Sequence, residues 1–439
     1  MQYIKSIDTR YSVDVFVAGG GPAGFTAALT AARQGKTVYL AENNGCFGGL
    51  GTTGLVPSFC QFTDGERFLV GGVGREIRNR TIGEACDYQR GFYSIDVEKL
   101  KKVYDDMACA EPNLKFSFFT RLIDVTVTDG HVDAVILAAK SGIFAVKAKI
   151  YIDCTGDGDL CTFAGADSEF GNEEGITMPG TLCSIWADID SSKKKSVNFH
   201  KQLEKAFADG VFTNEDRHIS GFFRPQDGSS IRSANIGHVY AVDGRDERSL
   251  TKAMLNGRSY MSEFEKFYRE YISGEYEPMH LCYTSDMFGI RESRRIVTDY
   301  RLCGADFLRR AVFDDEIGRY AYPVDIHAMK PDAESYTKFR QEFEIDMHYG
   351  VGESYGIPYR SLLPKNLENV LVAGRCIGTD RQMQASVRVM PCCFITGSAA
   401  GIAAALTADR EDTRAADIAE LKRRITSDFG KERRKADEG

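Results

Sequence analysis

No pair of cysteines in this sequence has the CxxC spacing, although its 439 residues include twelve cysteines. This absence argues against a zinc ribbon or an iron–sulfur ligand set. No apolar run approaches the roughly 20 residues that a membrane span requires, and the first ten residues lack the apolar centre of a signal peptide. We therefore expect no membrane partner and a cytoplasmic protein whose thiols are mostly reduced and buried.

The sequence also lacks an excess of positive charge. The 55 lysines and arginines are outnumbered by 63 acidic residues, and the net charge is −8. Such a chain lacks the broad positive field that attracts phosphate backbones, so we expect no nucleic-acid partner. No repeat or low-complexity linker interrupts the sequence, and its length is sufficient for two or more domains.

Glycine is abundant, and its first cluster has a recognisable spacing. The stretch VFVAGGGPAG places Gly19, Gly21 and Gly24 in a GxGxxG pattern, directly after the apolar alternation of Val13–Val17. From Pro22 onwards the apolar residues recur at helical spacing. This order of strand, glycine turn and helix predicts a binding site for the diphosphate of a dinucleotide. Glycine permits close backbone approach, and the helix N-terminus offers free N–H groups.

A second strand completes this unit. The helix is predicted to end near Gly35, and Thr37–Ala41 has the composition of a short buried strand. Glu42 follows that strand, about 20 residues after the glycine turn, where a carboxylate can accept hydrogen bonds from ribose hydroxyls. This fingerprint by itself does not distinguish NAD from FAD.

Three later segments favour FAD. Residues 43–57, NNGCFGGLGTTGLVP, form a second glycine-rich loop that suits a long, extended cofactor. Residues 116–154 alternate as successive strands, which is typical of a β-meander, and stop at Thr155–Asp157. Residues 369–373 predict another buried strand, which stops at Gly374 and precedes a helix-permissive segment rich in alanine and glycine.

The chain resembles the FAD-dependent oxidoreductases of the glutathione-reductase-like, two-dinucleotide-binding-domain type, and most closely a bacterial FAD-dependent oxidoreductase family. Besides the GGGPAG loop, the motifs that carry the resemblance are GIRESRR at 289–295, IPYRSLLP at 357–364, NVLVAGRC at 369–376 and ASVRVMP at 385–391. The resemblance runs from about residue 13 to about residue 430.

Two departures accompany the resemblance. The disulfide-reductase branch has a redox CxxC, which this chain lacks, so dithiol–disulfide chemistry is disfavoured. Many relatives also have aspartate after the glycine that ends the last strand, where it holds the ribityl chain, whereas Arg375 follows Gly374 here. The residue that replaces this aspartate is left open.

The resemblance implies an α/β fold with a discontinuous FAD-binding domain. Residues 1–165 and 355–439 would form a Rossmann-like domain with a parallel sheet and a β-meander, interrupted at 166–354 by a mixed α+β substrate or cap domain. FAD would be bound without a covalent link. The residues expected to contact it are Gly19, Gly21, Pro22, Ala23, Gly24, Glu42, Asn43, Cys46, Gly48, Gly49, Thr53, Gly54, Leu55, Ile123, Thr155, Gly156, Asp157, Gly374, Arg375, Arg388, Val389 and Met390.

Flavin carries the redox chemistry, so the protein has to place the substrate and manage charge and protons. Arg291, Arg294 and Arg295 crowd one short element, and we expect Arg294 and Arg295 to bind an anionic group of the substrate. The alternative is that these arginines form ion pairs with neighbouring carboxylates. His238 or His327 is the expected proton partner.

Three further side chains have expected roles. Arg360 and Arg388 lie in motifs that the resemblance places beside the flavin, where a cation would stabilise the reduced, anionic ring. Cys46 lies in the second glycine loop. No resolving cysteine is close in sequence, which favours a packed thiol over a redox thiol.

The expected function is hydride transfer between the flavin N5 and a small polar or anionic metabolite, with a separate electron acceptor or donor. Two other classes stay open: a flavin-dependent RNA-modifying protein, which the acidic balance disfavours, and an FAD-binding protein without turnover. The identities of the substrate and electron partner do not follow from the sequence, and a homo-oligomer is compatible with it.

Overall fold

The computed structural model describes residues 4, 6–85, 87, 91–219, 221–224, 229–345 and 347–436, with the backbone alone for 342–345 and 428–436. The strands of this part are, in chain order, β1 (Thr9–Ala18), β2 (Val38–Ala41), β3 (Ser58–Phe59), β4 (Tyr93–Ser94), β5 (Leu114–Ser117), β6 (Arg121–Thr128), β7 (His131–Ala139), β8 (Gly142–Asp153), β9 (Ser168–Phe170), β10 (Ser184–Ala187), β11 (Phe222–Phe223), β12 (Arg232–Ala234), β13 (His280–Thr284), β14 (Arg294–Ile296), β15 (Glu316–Tyr320), β16 (Tyr355–Pro358) and β17 (Val370–Val372).

The described residues also form α-helices. In chain order they are α1 (Pro22–Arg33), α2 (Gly72–Ile82), α3 (Val97–Cys109), α4 (Asp159–Phe163), α5 (Phe199–Ala208), α6 (Glu247–Lys266), α7 (Gly304–Leu308), α8 (Ala333–Ile345), α9 (Arg381–Val387), α10 (Met390–Thr407) and α11 (Ile418–Ala436).

The largest sheet confirms the predicted α/β fold class. Its strand order is β5-β2-β1-β8-β7-β6, and β17 also pairs with β8. Strands β5, β2, β1, β8 and β17 are parallel, so their carboxyl ends lie at one edge of the sheet. The long strand β8 pairs antiparallel with β7 near its start and parallel with β17 near its end, which joins the β-meander to the Rossmann-like part.

Two hydrophobic clusters form inside the protein. One includes buried residues from 15–183 and 296–421, and the other includes buried residues from 182–290. The second cluster surrounds Trp186 and packs beneath the antiparallel sheet β11-β12-β10-β13. Apolar side chains of 296–354 thus pack with the first cluster, whereas the predicted substrate or cap domain spans 166–354. On this burial pattern we propose that the cap core spans about 182–290.

Helix α10 is the one helix of the described residues that is long and apolar enough to cross a membrane, but 89% of it is buried in the protein. Its mean hydropathy of 1.5 comes from alanine, glycine and aliphatic residues that face other elements on every side. A Cβ at Gly397 would lie 2.3 Å from the carbonyl oxygen of Ala23, and one at Gly401 would lie 2.4 Å from that of Ala27. The small residues therefore let α10 pack directly on the backbone of α1.

Introducing a side chain at this contact should destabilise the fold. We expect Gly397→Val to lower the free energy of unfolding by about 1–3 kcal/mol, because the new methyl groups would displace α10 from α1. The control Gly350→Val adds the same atoms where a Cβ meets only an ordinary contact, 3.5 Å from Glu353. Urea unfolding followed by circular dichroism measures both, and equal stabilities would contradict the prediction.

Candidate functional site

The first glycine loop joins the carboxyl end of β1 to the start of α1. Gly19 has a φ of +88°, and a Cβ at Gly24 would lie 1.8 Å from the oxygen of Gly19, so both positions require glycine. A Cβ at Gly21 would have no atom of the described residues within 4 Å, apart from those of its own chain neighbours. No side chain caps the start of α1 at Pro22. Free N–H groups beside open space are what a diphosphate requires.

Glu42 holds this loop in place. One carboxylate oxygen accepts the backbone N–H of Gly20 at 2.6 Å. The other accepts the backbone and side-chain N–H groups of Asn44 at 2.7 and 2.6 Å. Burial raises the pKa of the Glu42 carboxyl, although these hydrogen bonds act in the opposite direction. The carboxylate oxygens retain further lone pairs, so they could also accept hydrogen bonds from a ribose. This contact remains a prediction.

The second glycine loop packs against the first one. The backbone N–H of Gly48 donates to the oxygen of Gly20 at 2.8 Å. A Cβ at Gly49 would lie 3.2 Å from Cα of Gly21, so the two backbones are in contact. The same loop touches the start of α10, because a Cβ at Gly51 would lie 2.5 Å from the sulfur of Met390. The structure therefore brings these predicted cofactor residues together.

The remaining loop residues frame this junction. The Cys46 thiol lies 3.3 Å from the Thr53 hydroxyl and forms no disulfide. Asn43 is exposed, Gly54 packs on Leu50, and Leu55 has a φ of +54°, which is unusual for a residue with a side chain.

The ends of β8 and β17 meet beside these loops. Arg375 donates to the Gly156 oxygen at 2.8 Å and to the Asp157 carboxylate at 2.9 Å. It also donates to the oxygen of Ile290 at 2.7 Å, which ties this junction to the cap. Thr155 is held by the buried carboxylate of Asp153. Arginine after the last strand thus pairs with an acid from the neighbouring strand end.

Other predicted cofactor residues occupy two places. Ala23 lies in the first turn of α1. A Cβ placed at Gly374 would lie 3.0 Å from Cβ of Ala23. Val389 is the residue that precedes α10. Ile123 lies apart from this group on the edge strand β6, where 37% of its surface is exposed.

The arginines selected from the sequence are engaged by the protein itself. Arg295 is buried and donates to Glu292 at 2.8 Å and to the oxygen of Gly171. Arg294 donates to the carboxylate of Asp159 at 2.9 Å. These contacts correspond to the ion-pair alternative, with Arg294 engaged through Nη1 alone. A substrate role for either arginine remains a prediction.

Arg360 lies in a different environment. It pairs with Asp315 at 3.0 Å, stacks over Tyr300, and exposes 49% of its side chain. None of these contacts involves a glycine loop or a histidine. The structure therefore does not join Arg360 to the other candidate residues.

The two predicted histidines meet in the protein interior. Nε2 of His238 lies 2.9 Å from Nδ1 of His327. Nδ1 of His238 faces Asp216 at 3.1 Å, and Nε2 of His327 faces Asp325 at 3.3 Å. A third ring, His218, stacks on His327 with an interplanar angle of 15°.

Arg388 connects this histidine cluster to the second glycine loop. Its guanidinium donates to the carboxylate of Asp325 at 3.1 Å and to the backbone oxygen of the same residue at 2.8 Å. Met390, two residues later, contacts Gly51. The thiol of Cys60 lies near the same carboxylate. Burial, with a contribution from the charge of Asp325, raises the pKa of Cys60 to about 12.

Sequence reasoning did not identify Asp216, Asp325 or His218. A signal was present, because Asp216-Arg217-His218 and Asp325-Ile326-His327 both have an Asp-x-His spacing. This pattern is too short to be specific, and only the fold brings the two copies face to face.

Arg291 differs from its neighbours on the same element. Its guanidinium donates to three neutral acceptors: the oxygen of Pro179, the hydroxyl of Thr181 and the side-chain oxygen of Asn235. In the described part of the chain, no carboxylate lies within ion-pair distance of it. Burial, with a contribution from the charge of Arg388, lowers the pKa of Arg291 to about 10, so it stays charged at neutral pH.

Comparison with known proteins identifies a relative that matches part of the chain. Thiamine thiazole synthase from Methanothermobacter thermautotrophicus is 27% identical over 198 residues, which cover 43% of this chain and 73% of that protein.

Solved structures show weaker similarity. A geranylgeranyl bacteriochlorophyll reductase-like protein from Thermoplasma acidophilum is 12% identical with a TM-score of 0.47, over 95% of this chain and 84% of that one. A p-nitrophenol 4-monooxygenase from Pseudomonas putida is 11% identical with a TM-score of 0.38, over 66% and 70%. Both TM-scores are below 0.5.

The family match covers most of the chain. The model of the FAD dependent oxidoreductase family matches residues 14–425, which include both glycine loops, the histidine cluster and α10. The open backbone at Gly21 and the uncapped start of α1 fit the diphosphate of FAD. The protein therefore belongs to the FAD-dependent oxidoreductase family, and FAD is its cofactor.

Proposed function

We propose that the protein transfers a hydride between the flavin N5 and a small metabolite with an anionic group, in the cleft between the cap and the FAD-binding part. The observation that carries this proposal is Arg291, a charged guanidinium that is mostly surrounded by protein and meets only neutral acceptors. A buried charge with no carboxylate within hydrogen-bond distance is costly, and the more distant Asp325 and Asp216 offset this cost only in part. A carboxylate or phosphate of the substrate would supply a close counter-ion in a bidentate geometry.

The histidine cluster lies close to the predicted cofactor site. The contacts from Gly51 to Met390, and from Arg388 to Asp325 and on to His327, form a continuous path from the second glycine loop to the histidines. Arg291 acts on this cluster directly, since its charge contributes to lowering the pKa of His327. A substrate bound by Arg291 would therefore lie beside both a proton partner and the flavin.

The roles of the chain's own residues follow from these positions. When bound, FAD supplies a two-electron carrier that accepts or returns hydride at N5. Arg291 fixes the anionic group of the substrate, which holds the reacting carbon at a constant position. His327, supported by His238, takes the proton from the substrate heteroatom in oxidation and returns it in reduction. We propose Arg291 for the substrate role in place of Arg294 and Arg295.

Two related proposals concern the setting of this reaction. All cysteines of the described residues are free thiols, which supports a cytoplasmic location. A separate electron acceptor or donor would complete the catalytic cycle. Anaerobic reduction and reoxidation of the purified protein would distinguish this function from FAD binding without turnover.

Glu42 gives a test of cofactor binding. Denatured protein should release unmodified FAD, and Glu42→Gln should weaken FAD affinity at least about tenfold, because a charge-assisted hydrogen bond contributes ~1.5–3 kcal/mol. The control Glu98→Gln changes an acid whose side chain is 82% exposed on α3. Fluorescence titration of the apoproteins with FAD measures both affinities. Equal affinities would show that Glu42 does not support the cofactor.

Substrate binding is tested by comparing two arginines of one element. A panel of small carboxylates, including 2-hydroxy acids and amino acids, is screened anaerobically for bleaching of the flavin absorbance. With the active compound, Arg291→Lys should lower kcat/KM at least about tenfold, because lysine lacks the planar fork. Arg294→Lys is the matched control and should retain near-wild-type kinetics and FAD content. The reverse result would restore the role expected from the sequence.

A further inference from the structure

Four largely buried side chains, Asp216, His238, His327 and Asp325, form one hydrogen-bonded chain. The Asp216 carboxylate lies 3.1 Å from Nδ1 of His238, and Nε2 of His238 lies 2.9 Å from Nδ1 of His327. Nε2 of His327 then lies 3.3 Å from Asp325. The exposed fractions of the two histidine side chains are only 3% and 7%. Exchange of protons with bulk water is therefore restricted, and the proton content of the chain depends on its own geometry.

The carboxylates at the two ends act as acceptors. Asp216 also accepts the hydroxyl of Tyr240 at 3.0 Å and the backbone N–H of His218 at 2.9 Å. Asp325 also accepts the guanidinium of Arg388. Burial opposes ionisation, but the histidine rings and these donors outweigh it, so the pKa of Asp216 falls to about 2 and that of Asp325 is also lowered. An ionised carboxylate requires an N–H from the imidazole nitrogen that faces it.

This requirement determines the state of the other two ring nitrogens. With one N–H directed at each carboxylate, neutral rings would present bare lone pairs at Nε2 of His238 and Nδ1 of His327. Two lone pairs 2.9 Å apart repel each other, whereas an N–H···N contact at this distance is a hydrogen bond. We therefore propose that His238 and His327 share one additional proton between these nitrogens, so that the pair carries a single positive charge.

The surroundings place this proton closer to one ring. Burial lowers the pKa of His327, and the charge of Arg291 contributes. We place the shared proton nearer His238, because its contact with the Asp216 carboxylate, at 3.1 Å, is shorter than the 3.3 Å contact between His327 and Asp325. Burial also lowers the pKa of His218 to about 4, so that ring is neutral. Among the described residues, the titratable or charged groups around the pair are Asp216, His218, Tyr240, Arg291, Tyr322, Asp325, Arg388 and Cys60.

The shared proton gives the pair a defined role in the reaction, and this role rests on the proposed function. The contact between His327 and Asp325 is the longest in the chain, so a substrate heteroatom can replace the carboxylate there. As hydride reaches the substrate carbon, the Nε2 proton of His327 passes to that heteroatom. The shared proton moves from His238 to Nδ1 of His327, and both rings end neutral. The resting cluster is thus a loaded acid for substrate reduction, and the reverse sequence serves oxidation.

A metal ion is the competing occupant of this site. Nitrogen atoms of His218, His238 and His327 lie within 4.8 Å of one another. Imidazoles that bind one metal direct their in-plane lone pairs at a common point. His218 and His327 are stacked nearly parallel, with ring centroids 5.0 Å apart, and this arrangement makes such convergence poor. The direct hydrogen bond between His238 and His327 accounts for their close contact without a metal ion.

The experiment examines the resting, FAD-loaded protein labelled with ¹⁵N-histidine. We expect an imidazole proton that correlates with nitrogens of two different rings, and elemental analysis that finds no stoichiometric metal. His238→Gln should abolish this signal, whereas His218→Phe, which keeps a stacked ring but removes its nitrogens, should retain it. Neutral tautomers on both rings would overturn the proposal. One equivalent of zinc or another transition metal, lost in His218→Phe, would overturn it in favour of a metal site.

Asp216 is a positioning residue in this proposal, and it has a separate test. Removing its negative charge destabilises the cation, so Asp216→Asn should shift loss of the shared proton to lower pH by about one unit or more. The pH profile of flavin reoxidation by the active metabolite should shift in the same direction. An unchanged NMR titration would overturn the role of Asp216. Because the NMR and metal measurements need no substrate, failure to find a substrate would count against the proposed function alone.

Discussion

Close backbone approach around the start of α1 is the constraint on which the rest of the structure depends. The first turn of that helix is approached by its own glycine loop at Gly19, by the second loop at Gly49 and by α10 at Gly397. A single Cβ at Gly24 or Gly397 would overlap a carbonyl oxygen. The absence of side chains therefore does two things at once. It closes the core around α1 and leaves the N–H groups of the first turn available to a diphosphate.

A second constraint is electrostatic and joins segments that are distant in the sequence. Arg388 lies two residues before α10, and its partner Asp325 contacts His327, which in turn contacts His238. Each charged member of this path has an opposite charge or an N–H donor within hydrogen-bond distance. Arg291 is the exception, because its acceptors are neutral. This difference is the basis of the proposal that Arg291 binds an anionic group of the substrate.

The parts of the fold that follow local rules could be predicted from the sequence. The strand ending at Ala18, the helix from Pro22 and the strand ending at Ala41 have the periodicity and glycine punctuation that identify them. The β-meander and the strand Val370–Val372 were predicted for the same reason. The extent of the cap was harder to predict, because residues 296–354 have an ordinary apolar composition and nothing local indicates which core they join.

The candidate site divides in the same way. By itself, the sequence predicted the two glycine loops, because glycine acts through its own backbone, and it selected Glu42 by its position after the second strand. Only the tertiary structure distinguishes the surroundings of Arg291, Arg294 and Arg295. Another segment brings Asp159 to Arg294, whereas Arg295 pairs with its sequence neighbour Glu292. Among the described residues, no carboxylate lies within ion-pair distance of Arg291. Likewise, the histidine pair arises from residues 89 positions apart, a separation over which the sequence carries no local signal.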